Sequence, residues 1–183
     1  MLESGSSTNV LSYSMNRFAE LVHPISIGEF FSDYHEKKHI HMRTNDAGRF
    51  SKLISFEKLD EVLGVFGVEL ADIRVVNAQK EICNSEYTWK KNLVYPIRAA
   101  ALFANGSTLI FNSLQDRVEE LRKFSAALSD ELQLTMQTNI YLTPQNAQGF
   151  KPHWDTHDVF ILQVEGCKRW KIFKETMQLP LEQ

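Results

Sequence analysis

Cysteine is scarce in this sequence: Cys83 and Cys167 are the two it has, they stand far apart, and no C-x-x-C pair occurs. A disulfide framework and a cysteine-built zinc site are thereby excluded, and both thiols are expected to be buried. Eight Gly and five Pro in 183 residues are too few for a collagen-like or low-complexity chain. No charge of one sign dominates, since 20 Lys and Arg face 23 Asp and Glu for a net charge of −3, and the cations come as scattered pairs such as Lys37-Lys38 and Lys90-Lys91. The basic stripe that a nucleic-acid surface needs is missing. Long apolar runs are missing too: the longest, in the Ala99–Ala104 stretch, falls far short of the ~20 residues that cross a bilayer. Met1–Asn16 is polar and Ser-rich where a signal peptide has a basic start and an apolar middle, so a cytoplasmic location away from membranes is expected.

What is present suits a soluble globular domain. The sequence is 43% hydrophobic and 23% charged, with twelve Phe, and a folded chain of this length buries about 70% of its unfolded surface. Residues 1–15 read as a mobile leader. Ser26-Ile27-Gly28-Glu29 has capping-box spacing and predicts a helix through about Glu36. His39-Ile40-His41-Met42 predicts a short strand; these two His share a face but have no carboxylate or Cys at ligand spacing, so a surface or packing role is expected. Phe56, Leu59, Leu63 and Phe66 recur at helical spacing behind Ser55, with Gly67 as a stop. Ile73–Asn77 and Thr108–Phe111 predict strands, and Pro96 and Gly106 suit the two ends of a helix over 96–104. Leu114, Val118, Leu121 and Leu128 mark the apolar face of the next helix, whose other face is charged.

From about Leu132 the period falls to two. Leu132, Leu134, Met136, Ile140 and Leu142 alternate with Gln133, Thr135, Gln137, Asn139, Tyr141 and Thr143, which predicts a long strand with a polar face. Val159–Val164 and Lys168–Phe173, joined at Glu165-Gly166, predict two more strands. The layout is α+β, with a mobile leader (1–15), a mixed helix and short-strand region (16–130) and an antiparallel β unit (131–183).

Within His153-Trp154-Asp155, an extended backbone turns the imidazole and the carboxylate to the same side, so the two can share one metal. They form two-thirds of the 2-His-1-carboxylate set that holds non-haem Fe(II) with open positions. An H-x-D triplet alone arises by chance in roughly one chain in four of this composition, and its plain alternative is a His bonded to a nearby carboxylate. Lys168, within Lys168-Arg169-Lys171, has a surface alternative, and Asn139 and Tyr141 can be ordinary polar residues of a half-exposed strand. Trp154 and Trp170 are expected to pack in the interior.

The flanks of the triplet decide between these readings. Tyr141-Leu142-Thr143-Pro144, Gln148-Gly149-Phe150, Pro152 through Phe160, Gln163 and Gly166 through Trp170 closely resemble the cupin-like JmjC oxygenases of the ribosomal-oxygenase type. Phe30-Phe31, Tyr34, Glu36-Lys37-Lys38 and Gly106–Asn112 extend the resemblance loosely back to about residue 24. It implies a double-stranded β-helix (cupin, jelly-roll) barrel that binds Fe(II), uses 2-oxoglutarate as co-substrate and hydroxylates a protein side chain, a ribosomal protein by analogy. Carried over residue by residue, it makes His153 and Asp155 iron ligands, Lys168 the partner of the far carboxylate of 2-oxoglutarate, and Asn139 and Tyr141 lining of the co-substrate pocket. A lysine ammonium inside a barrel requires an anion, and a dicarboxylate supplies one.

The family's third ligand is a His on a later strand, and after Asp155 this sequence has only His157. Four residues of extended chain span about 13 Å, too far for two ligands that each sit about 2 Å from one metal, so His157 and Asp158 are expected to be structural, bonding the start of the following strand. The barrel is therefore expected to be truncated here, and the 183-residue chain to bind iron poorly by itself. Two further readings stand beside the oxygenase: a metal-dependent cupin enzyme that does not use 2-oxoglutarate, and a non-catalytic remnant or binding fragment.

Overall fold

The computed structural model describes residues 16–46, 48–64 and 68–174. The segment read as a leader, residues 1–15, lies outside them, as do Phe66 and Gly67.

The N-terminal helices form where the capping signals stand. Helix α1 (Arg17–Val22) is capped by the Asn16 side chain, which accepts from the Ala19 N–H. The Glu131 carboxylate accepts from the N–H groups of Arg17 and Phe18, which fixes α1 to a distant helix through two of its otherwise orphaned donors. Ser26 Oγ accepts from the Glu29 N–H and opens α2 (Ile27–Glu29), which continues as a wider π turn over Phe30–Tyr34. The helix expected to reach Glu36 stops at Tyr34, because Glu36 takes a left-handed φ of 54°.

Helix α3 (Phe56–Gly64) presents Leu59, Val62 and Leu63 to the interior. Strand β1 (Ile73–Val76) follows, then a small ribbon of β2 (Thr88–Trp89) and β3 (Leu93–Val94), then α4 (Pro96–Ala104), β4 (Thr108–Phe111), α5 (Glu119–Leu132) and β5 (Ile140–Leu142). Pro96 occupies the first turn of α4, and Gly106 supplies a φ of 89° just past its end. The main sheet has the order β1-β4-β5, both ladders antiparallel, with Ile73 opposite Phe111 and Leu109 opposite Leu142. As the central strand, β4 has all four residues buried.

Two apolar clusters hold these elements. The larger joins α3, α4 and the sheet around Leu63, Ile73, Leu109, Phe111, Leu114 and Leu121. The smaller joins α1, α2 and α5 through Phe18, Leu21, Val22, Phe30, Phe124 and Leu128. Helix α5 serves both, with Leu121 in the first and Phe124 and Leu128 in the second.

Several sequence expectations are corrected. His39–Met42 forms no ladder, although its alternation is real: Ile40 and Met42 are half-buried between exposed His39 and His41. The long strand expected from Leu132 shrinks to Ile140–Leu142, because α5 runs on to Leu132 and ends at Gln133 with a φ of 54°. The change of element expected near Ser129-Asp130 therefore comes at the end of α5, and Leu134 is exposed. Val159–Val164 and Lys168–Phe173 turn at Glu165-Gly166, yet the described residues give neither a ladder partner, and a strand exists only as a ladder. No closed barrel is present among the described residues. Cys83 and Cys167 are exposed rather than buried: the first caps a short 3-10 turn and the second stands in the unladdered segment, with no core above it. Trp154 and Trp170 are exposed for the same reason.

Candidate functional site

The outer edge of the main sheet carries the candidate site. Tyr141 sits in the middle of β5 opposite Ile110, and its side chain is exposed. After the turn at Pro144, the chain returns across β4. Gly149 lies so close to that strand that a Cβ there would be 2.8 Å from Thr108 Oγ1, the hydroxyl that also meets Thr143 Oγ1 at 3.0 Å. This close approach sets Phe150 edge-on to Tyr141, with ring centres 6.1 Å apart, and brings the His153 ring to 5.1 Å from Phe150. Lys168 then folds back over the same place, its Nζ 5.7 Å from the Tyr141 ring centre and 5.4 Å from that of Trp170. Three of the five expected site residues are thus linked by a run of contacts, Lys168 to Tyr141, Tyr141 to Phe150 and Phe150 to His153.

The electrostatics of Lys168 are distinctive. Among the described residues no carboxylate pairs with it, and partial burial of its ammonium group pushes its pKa below the ordinary lysine value, even though the residue as a whole is exposed.

His153 has a defined tautomer. Its Nδ1 lies 2.9 Å from the Lys151 carbonyl, which can only accept, so in the neutral ring Nδ1 carries the proton and Nε2 has the lone pair. A backbone acceptor on one imidazole nitrogen is the usual way in which the other is oriented toward a metal. Asp155 is exposed and makes no hydrogen bond or ion pair among the described residues. Imidazole and carboxylate are suitable donors for Fe(II), so the chemistry of this pair fits the metal. No third His, Cys, Asp or Glu side chain joins them among the described residues, and exposed His157 is not brought to them.

Asn139 is engaged elsewhere. Its Oδ1 accepts from the Ser113 N–H at 3.0 Å and from Gln137 Nε2 at 3.3 Å, which anchors the entry to β5 against the left-handed Ser113. Asp158, expected to bond the start of the next strand, instead reaches the N-terminal region, where its Oδ2 is 3.6 Å from His35 Nε2. His35, Glu36 and Asp158 bring ligand-type atoms within 4.8 Å of one another. Nothing in the local sequence pattern signals this group, because its members come from opposite ends of the chain. Phe150 lies within a motif legible in the sequence, but its place between Tyr141 and His153 is a property of the folded loop. An open cleft of about 410 Å³ adjoins the site, lined among others by Arg74, Lys80, Tyr87, Lys151 and His153.

Residues 114–183 match the JmjC domain family. Through that segment, this chain is similar to the JmjC domain. The similarity reaches well upstream of the matched residues. The bifunctional lysine-specific demethylase and histidyl-hydroxylase NO66 of Drosophila persimilis is 30% identical over 179 residues, which cover 95% of this chain and 25% of the relative. The protein of the same name from Aedes aegypti is 28% identical over 176 residues, covering 94% of this chain and 27% of its own. That of Dictyostelium discoideum is 31% identical over 160 residues, covering 85% and 30%. The chain thus spans less than a third of the length of these relatives. Within this JmjC segment, Tyr141, His153, Asp155 and Lys168 all fall inside the matched residues.

Proposed function

We propose that this JmjC chain is part of an Fe(II)- and 2-oxoglutarate-dependent oxygenase that acts on a protein side chain. The observation that carries the reading is the run of contacts from Lys168 over Tyr141, through Phe150, to His153, which links an ammonium without a carboxylate partner among the described residues to an imidazole along the sheet edge. His153 Nε2 and an Asp155 oxygen hold the iron, and a third ligand comes from outside the described residues. Lys168 binds the far carboxylate of 2-oxoglutarate, Tyr141 supplies a hydroxyl beside it, and Asn139 keeps the entry to β5 in place. The iron supplies the oxygen chemistry when bound, while the protein orients the co-substrate and excludes water. Strands later in a cupin barrel pair with residues 159–173 and complete the enclosure. The relatives' names indicate methyl-lysyl or histidyl side chains as substrates, and a ribosomal protein is one candidate carrier.

The test uses full-length protein with Fe(II), 2-oxoglutarate and candidate peptide substrates, reading succinate. His153→Ala and Asp155→Ala should abolish turnover, while Lys168→Ala should raise the 2-oxoglutarate requirement at least tenfold with metal binding retained. Turnover indifferent to Lys168→Ala would favour a metal-dependent cupin chemistry without 2-oxoglutarate. No turnover with any substrate, together with no metal bound, would favour a non-catalytic binding role.

A further inference from the structure

The fold holds neither candidate ligand tightly. His153 and Asp155 are both exposed, and the polar contact that His153 makes is to a carbonyl two residues back. Residues 151–157 join no ladder among the described residues and bend at Pro152 and again at Thr156-His157. The placing of both ligands therefore depends on where the segment is fastened at its two ends. One end is Phe150, against Tyr141 of β5. The other is the smaller apolar cluster, which Phe160 enters with its ring 6.1 Å from Phe18 of α1 and 5.9 Å from Phe30. Beside it, Asp158 Oδ2 faces His35 Nε2 at 3.6 Å, and the His35 ring is itself steadied by Phe30 and Phe31, at 5.8 and 5.3 Å.

We infer that His35 is a positioning residue for the metal-ligand segment: by engaging Asp158 next to the Phe160 anchor, the N-terminal helical region fixes the spacing and direction of His153 and Asp155. This rests on the reading of those two residues as ligands. A metal site needs its donors within about half an ångström of the productive geometry, and an unladdered segment keeps that precision only when both ends are fixed. Asp158 is three residues beyond Asp155, so a shift at its anchor passes directly to the ligand. His35 acts through Asp158 and does not touch the metal. Glu36 is the other charged group in the cluster, its carboxylate within 4.8 Å of the His35 and Asp158 ligand atoms.

The experiment measures Mn(II), a redox-silent substitute for Fe(II), by EPR titration of the full-length protein with 2-oxoglutarate present, alongside hydrogen exchange without metal. His35→Ala and Asp158→Ala should each weaken Mn(II) binding by about tenfold or more, the usual effect of losing a residue that supports a metal ligand. Exchange at the amides of residues 155–160 should quicken, and His35→Gln, which keeps an N–H donor, should recover most of both effects. A purely structural role would lower the unfolding midpoint and leave the affinity of the folded protein unchanged. Unchanged exchange at 155–160 in both Ala variants overturns the inference whether or not metal binds. If wild type binds no Mn(II) while exchange responds as expected, the ligand reading fails and the anchor stands. A Mn(II) signal that survives His153→Ala but disappears in Glu36→Gln would also overturn the inference, since the cluster would then hold a cation of its own.

Discussion

An ammonium group set beside two aromatic rings, as Lys168 is with Tyr141 and Trp170, is subject to opposing influences. The ring faces attract the charge, whereas the water they displace no longer stabilises it. Desolvation prevails here, and the pKa of Lys168 falls below 10.5. Between that lowered value and 10.5 the unfolded chain holds more protons than the folded one, so the contribution of this group to stability rises with pH across the window. A bound dicarboxylate reverses the effect by favouring the charged form. Titration of the Lys168 side chain by NMR should give a pKa below 10.5 in the free protein and a clear rise when 2-oxoglutarate and Mg(II) are added. A pKa unmoved by the dicarboxylate would remove Lys168 from the co-substrate site. Residue-scale reading from sequence rests on local determinants: Tyr141 and Lys168 stand out by the motifs around them, and the fold brings their side chains together. It did not reach Asn139's bond to Ser113 or the His35–Asp158 contact, because a partner distant in sequence leaves no mark on the pattern around either residue.

Elements were legible in proportion to how much of their stabilisation is local. Pro96 and Gly106 bracket α4, Ser26 caps α2, and four consecutive β-forming residues make β4, each determined by neighbours within a few positions. The alternation over 132–143 misled because two of its five apolar members serve other purposes: Leu132 closes α5, and Met136 packs on the smaller cluster. At the same scale, the loop 143–150 depends on one missing side chain. Gly149→Ala would drive a methyl group against Thr108 of the fully buried central strand. It is expected to cost about 1–3 kcal/mol, as overpacking of a filled interior does. It should also displace Phe150 and so weaken the metal binding proposed for His153. Urea unfolding with a parallel Mn(II) titration checks both parts, and a variant of unchanged stability would show that the loop can lift away from β4 at no cost.

Across the whole molecule, protection is unevenly distributed. Among the described residues, the buried side chains of the sheet and the two apolar clusters all lie before residue 129, whereas Val159, Ile161, Ile172 and Phe173 are exposed and lack ladder bonds. Hydrogen exchange should therefore find the amides of Leu109–Phe111 among the slowest and those of 161–173 among the fastest, since opening free energy follows buried contacts and internal hydrogen bonds. Slow exchange throughout 161–173 in the full-length protein would mean that further chain pairs with this segment.

The central position of β4 also sets an order of assembly during synthesis. Strand β1 and its partner are complete once residue 111 has been made, and α3 and α4 are already present to cover them. Chains emerge from the ribosome N-terminus first, at about 5–20 residues per second. Strand β5 arrives later and adds to an edge that is already formed. His153, Asp155 and Lys168 thus emerge after a scaffold that can fold ahead of them, so the nascent chain presents these side chains only once the sheet edge against which Tyr141 and Phe150 meet exists.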